Sequence, residues 1–340
     1  MSTAKITSKQ TPNVTKALWW GIAASFVFTA IIWLARPLMP QIDFLPDAGA
    51  SWYYWKLPNP TFWSHFTAWT GYALHQVTIW GIIYYAQSTK LKYSNRLHPA
   101  NWWMLGANVF FIALHLLQTS IWYDGLAQDV SIWSSQASVV LMLVAVLLME
   151  NQRRGLFFGK KVNWLKESAR FLRKYHGYIF MWGIIYTFWY HPMENTAGHL
   201  FGFWYTFVLL LQGSLMFTRA HLNHWWTALL EIVVLAHGTV VAILQGNQLW
   251  PMFAFGFAAI FIVTQMHGLG LSRRWRWAFG GAYVASAVFV YSQRGWIQLN
   301  EIIRIPAIEY LAVFLLAGIV WLGMLIVRTL SSKKMGRNLT

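Results

Sequence analysis

Long apolar runs interrupted by short polar segments dominate the pattern of the chain. A helix needs about 20 apolar residues to cross a bilayer. Ten stretches qualify, at about 17–36, 64–86, 102–122, 131–149, 175–191, 198–218, 225–244, 250–270, 277–293 and 308–327. The pattern predicts an all-α fold, a polytopic transmembrane helix bundle of about ten spans. It forms a single integral membrane domain over 1–340, with no soluble domain of useful size. The first run follows Lys5, Lys9 and Lys16, as a signal peptide would. Leu34-Ala35-Arg36-Pro37 is a poor cleavage site, however, and the run is long, so it reads as a retained anchor.

Composition agrees. Of 340 residues, 57% are hydrophobic, 18% aromatic and only 11% charged, whereas soluble domains carry about 25% charged residues. The absence of Cys excludes disulfides, thiolate-ligated zinc, iron–sulfur clusters and cysteine nucleophiles. A net charge of +16 would suggest nucleic acid in a soluble protein. Here the charges lie between the spans, so they imply orientation among membrane lipids and no nucleic acid.

That orientation can be read from the charges. One side of the ten spans collects Lys5, Lys9, Lys16, Lys90, Lys92, Arg96, the eight cations from Arg153 to Lys174, Arg219, Arg273, Arg274, Arg276, Arg328, Lys333, Lys334 and Arg337. These are 22 of the 26 basic residues. The other side keeps Arg36, Lys56, Arg294 and Arg304, together with Asp43, Asp47, Asp124, Asp129, Glu194 and Glu301. The positive-inside rule then puts both termini in the cytoplasm and the chain in the cell inner membrane as a multi-pass protein. Trp19-Trp20, Trp102-Trp103, Trp225-Trp226 and Trp275-Arg276-Trp277 start outward-running spans and read as interfacial anchors. The outer connection from Pro37 to Phe62, with Trp52-Tyr53-Tyr54-Trp55, predicts a short amphipathic or re-entrant piece. A basic amphipathic helix is expected near Trp164–Arg173, resting on anionic lipid.

Against this background two residue types point to chemistry. Glu231 is the one carboxylate in the middle part of a predicted span, a position that costs roughly 2.5–3.5 kcal/mol and is functional by default. It reads as a catalytic proton-transfer group, or else as a protonated, hydrogen-bonded structural residue. His224 lies seven residues earlier, about 20° away on an ideal helix. Gln212 and Gln265 could line the same cavity, or serve as interhelical glue. Eleven histidines are the other resource.

His176 and His191 stand about 22 Å apart near the two ends of span five, and His224 and His237 about 20 Å apart on span seven. The spans are parallel, so His176 matches His224 in depth and His191 matches His237. This layout over residues 172–244 resembles the di-haem core of ferric-reductase-like and other b-type membrane cytochromes. The resemblance implies two haem b groups with bis-imidazole ligation on iron. It makes the chain a membrane redox protein, an oxidoreductase subunit for electron transport through haem b or quinone, fed by an electron-donating partner protein. Thirteen residues turn His237 about 140° from His224, so that geometry calls for a π-bulge or bend in span seven.

Two other readings stand beside it. His191, Glu194 and His199 form H-x2-E-x4-H at the outer face, near Asp124 and Asp129. This set could hold a divalent metal or run acid–base chemistry on a lipid or isoprenoid substrate, or be a solvated polar turn. Desaturase-type histidine boxes are missing, since His221-Leu222-Asn223-His224 stands alone. The remaining alternative is a proton-coupled transporter titrating at Glu231. It lacks matched Gly/Pro-broken spans, Gly280-Gly281 having no counterpart.

Overall fold

The computed structural model describes residues 13–43, 56–246 and 248–337. Lys5, Lys9, Asp47 and the Trp52–Trp55 cluster expected to lie in the outer headgroup region fall outside the described residues. Among those described the chain is all-α, with isolated bridges in place of strands. Ten α-helices are described, one on each apolar stretch: α1 Val14–Leu34, α2 Phe62–Ser88, α3 Pro99–Trp122, α4 Ile132–Arg154, α5 Lys166–Tyr190, α6 Ala197–Ser214, α7 His224–Leu244, α8 Trp250–Val263, α9 Arg273–Arg294 and α10 Glu301–Arg337.

Local chemistry sets their starts. Asn13, Ser131, Thr196 and Ser272 cap α1, α4, α6 and α9 with a side-chain oxygen, and Thr61 with Ser64 forms a capping box on α2. By length and composition six segments could cross a membrane: α1, α3, α4, α7, Trp250–Gly268 and Trp296–Leu330. The helices α2, α5, α6 and α9 are richer in Trp, Tyr, His or charged residues.

Large apolar side chains face outward on α1 (Phe26, Val27, Trp33), α9 (Val284, Phe289) and α10 (Leu311, Leu315, Ile319), while His75, Asn108, His115 and Arg154 are buried. Apolar groups outside and polar groups inside are what a chain in hydrocarbon requires. This arrangement fits an integral membrane protein.

The described chain divides into two compact units. Unit 1 comprises residues up to Asp129 and Phe188–Trp226. In it α2 packs on α3, α1 on α6 and α3 on α6. Gly71 lets α2 approach the Trp189 indole so closely that a Cβ there would overlap the ring. The α2–α3 pair is pinned by His75 Nε2 to Asn108 Oδ1 (2.9 Å), and Asn108 Nδ2 donates to Ser214 Oγ on α6 (2.9 Å). Trp189 Nε1 donates to His75 Nδ1 at 3.3 Å. Both ring nitrogens of His75 are thereby satisfied, which makes it a core residue.

Unit 2 comprises Val130–Thr187 and the residues from Thr227. There α10 packs along α8 and α4, and α8 along α9. Its largest core joins Val144, Leu147 and Leu148 of α4, Leu165, Ala169 and Leu172, and Val313 and Ala317 of α10. The basic amphipathic helix expected near Trp164–Arg173 is the start of a longer helix and not a separate element. Asn163–Leu165 is a 3₁₀ turn, and Lys166 begins α5 itself. Leu165, Ser168, Ala169 and Leu172 repeat at helical spacing, so that face is buried in protein while Lys166, Arg170, Arg173 and Lys174 stay exposed.

Candidate functional site

At one end of unit 1 the chain concentrates ionisable side chains. α3 stops at Tyr123, whose φ of 43° is left-handed, a conformation that costs a bulky residue free energy and is held by its surroundings. The ring is buried, and its hydroxyl donates to Glu194 Oε2 at 2.5 Å. Glu194 Oε1 accepts from Asn195 N–H at 2.7 Å, and Met193 N–H donates to Thr119 Oγ1 at 3.0 Å. His115 Nε2 lies 2.8 Å from the His191 carbonyl oxygen, to which it donates. These bonds fix the 191–196 turn against the end of α3. The imidazoles of His191 and His199 stand 5.6 Å apart, edge to face. His199 is held at the first turn of α6 by Thr196, whose hydroxyl bonds His199 Nδ1 at 2.8 Å and accepts from its backbone N–H at 3.3 Å.

Asp124 follows Tyr123 and is buried. Gly125 N–H donates to its Oδ1 at 2.7 Å, whereas Oδ2 has no partner. Burial pushes the carboxyl up to about 6, against the opposing pull of the Gly125 N–H, the Ser64 hydroxyl and His65, with Asp129 adding to the rise. Gly125 allows no side chain, because a Cβ would press into the Tyr190 carbonyl. Nearby, His65 Nδ1 pairs with Asp129 at 2.8 Å and Trp69 Nε1 donates to the same carboxylate at 2.7 Å. His191, Glu194 and His199 are half-buried.

Compared with known protein families, curated proteins and solved structures, the chain finds no match.

The structure sets the His191 and His199 rings 5.6 Å apart and turns Glu194 to Tyr123, a partner that spacing could not supply. Among the described residues no three His, Asp or Glu side chains converge as a metal ion would require; Glu194 faces the tyrosine hydroxyl. The four histidines of the expected haem pairs fall in both units. His191 and His224 belong to unit 1, while His176 and His237 belong to unit 2. His176 Nδ1 bonds the Arg173 carbonyl at 2.7 Å. α7 runs as regular α-helix from His224 through His237, without the π-bulge that a shared seam calls for.

Glu231 lies on α7 in unit 2, and Arg154 at the last turn of α4 meets it with both terminal nitrogens, at 2.9 and 2.8 Å. The two side chains are 1% and 9% exposed. The charge pattern groups Arg154 with the solvated cytoplasmic cations; the structure buries it. His224 is exposed and belongs to unit 1, apart from Glu231 in the division of the chain. Gln212 bonds Trp226 Nε1 and the His221 carbonyl in unit 1, whereas Gln265 is buried in unit 2. Glu309, another buried carboxyl of unit 2, is hidden in the sequence because it sits at the edge of an apolar stretch. Its Oε2 has no partner.

Proposed function

We propose that the chain is a ten-span protein of the cell inner membrane with cytoplasmic termini, and that it carries an acid–base centre at the outer end of unit 1 acting on a lipid or isoprenoid substrate. The observation that carries the chemistry is the Tyr123–Glu194 hydrogen bond at the turn that holds His191 and His199. Glu194 accepts a hydrogen bond from the Tyr123 hydroxyl at 2.5 Å, and burial pushes Asp124, the residue after Tyr123, toward neutrality. A hydrogen-bonded hydroxyl and carboxylate on a turn that carries two imidazoles supply the kinds of group acid–base catalysis needs.

The orientation draws support from unit 1. The start of α1, the 88–98 connection and the 215–223 turn meet at one end, stitched by Val14 N–H to Asn95 O and Arg219 N–H to Ser94 O. Residues 57–65, 123–129 and 191–199 meet at the other through Gln128–Leu57, His65–Asp129 and Tyr123–Glu194. Segments assigned to one face by their charges thus gather together. The haem and quinone reading rests on the sequence resemblance, and the transporter reading on Glu231, which here is engaged by Arg154.

The test compares lipid extracts of cells expressing the wild type, Glu194→Gln and His199→Ala. One lipid class should be converted by the wild type only. A b-type absorbance band in the purified protein, with identical lipid profiles, would replace this reading with the redox one.

A further inference from the structure

The cytoplasm-facing end of unit 1 holds a cavity of about 300 Å³ lined by Asn13, Val14, Thr15, Leu18, Trp19, Asn95, Arg219, Ala220 and Asn223. We infer that this cavity binds the phosphodiester headgroup of an anionic glycerophospholipid of the inner leaflet, with the Arg219 guanidinium as its principal contact.

The lining offers donors. Asn13 Oδ1 is committed to the Thr15 N–H at 3.0 Å, and Asn223 Oδ1 to the Trp225 and Trp226 N–H groups at 3.0 and 3.2 Å. What those two carboxamides can still present to an occupant is an NH₂ group. The Arg219 side chain makes no hydrogen bond or ion pair to another described residue, yet its backbone is fixed. Its N–H donates to Ser94 O at 2.9 Å, and the preceding turn is tied by Asn101 Nδ2 to the Ser214 and Met216 carbonyls, each at 2.8 Å. A planar fork of donors on a rigid turn suits a phosphate.

Charge points the same way. Segments 13–20, 88–98 and 215–226 carry Lys16, Lys90, Lys92, Arg96 and Arg219 and no Asp or Glu. Val14, Leu18 and the exposed Trp19 ring make the cavity's apolar wall, at the depth where indoles mark the headgroup region. A lipid phosphate therefore suits it better than a free anion, which has no use for the tryptophan. The site lies at the opposite end of unit 1 from the acid–base centre and does not depend on it.

Native mass spectrometry of the full-length protein, titrated with phosphatidylglycerol and separately with phosphatidylcholine, tests the inference. The wild type should retain phosphatidylglycerol preferentially, and Arg219→Gln should weaken that retention about tenfold, the scale of one charge-assisted hydrogen bond. Arg219→Lys, which keeps the charge without the fork, should fall between. Arg219 is exposed, so folding should survive; an unchanged melting temperature confirms it. Equal retention of both lipids, or an Arg219→Gln variant that binds like the wild type, overturns the proposal. So does inorganic phosphate binding at Arg219 without any preference between the lipids.

Discussion

Arg154 and Glu231 show what a single buried charge does to its surroundings. Removing one partner of such a pair strands the other, at a cost of about 3–5 kcal/mol, whereas replacing both with apolar groups is far milder. Glu231→Gln and Arg154→Gln should each lower the thermal unfolding midpoint in detergent by the equivalent of about 3 kcal/mol, and Arg154→Met with Glu231→Leu should regain most of it. Single variants that melt like the wild type would show that the pair does not hold unit 2 together. Asp124 gives a pH signature. Its carboxyl rises from the ordinary 3.8 to about 6 in the folded protein, so the folded state keeps this proton longer than the unfolded one. The stability it lends is present below about pH 4 and lost as pH climbs to about 6, up to about 3 kcal/mol in all. Melting curves of Asp124→Asn across that window should lack this slope. Glu231 was legible in the sequence because a lone carboxylate interrupts an apolar run. Arg154 was not, since a cation at the end of a run looks like any loop cation until its partner on another helix is known.

Helices were legible through their apolar length, and their faces much less so. The basic start of α5 reads as an interfacial helix because hydropathy registers the lysines and arginines. It does not register that Leu165, Ala169 and Leu172 find α4 and α10. Leu172→Ala should accordingly destabilise the protein by about 2–5 kcal/mol, while Arg170→Gln changes little; a helix lying on lipid would show the reverse sensitivity in vesicle binding. In the same way Gly71 looked like an ordinary glycine, yet it is the place where α2 admits an indole. Gly71→Val should cost several kcal/mol by overpacking against Trp189, read as a lost or strongly lowered melting transition. The candidate site was half legible: its histidines and Glu194 lie within nine residues, whereas Tyr123 and Asp124 reach it only through the fold.

The whole molecule offers a clean handle on topology, because it contains no Cys. Asn59→Cys and Lys92→Cys flank α2, and an impermeant maleimide should label the first from outside the cell and the second only after the membrane is opened. Labelling of both from one side would remove α2 from the spans.

The division of the chain also constrains how the protein can be made. Unit 1 is interrupted by Val130–Thr187, which belongs to unit 2. Asn108 therefore leaves the ribosome 106 residues ahead of Ser214, its partner on α6. At about 5–20 residues per second, that is roughly 5–20 s in which the Asn108 carboxamide waits for its hydroxyl partner. A nascent chain in that condition needs shelter, so α1–α3 should dwell beside the insertion machinery until α6 arrives.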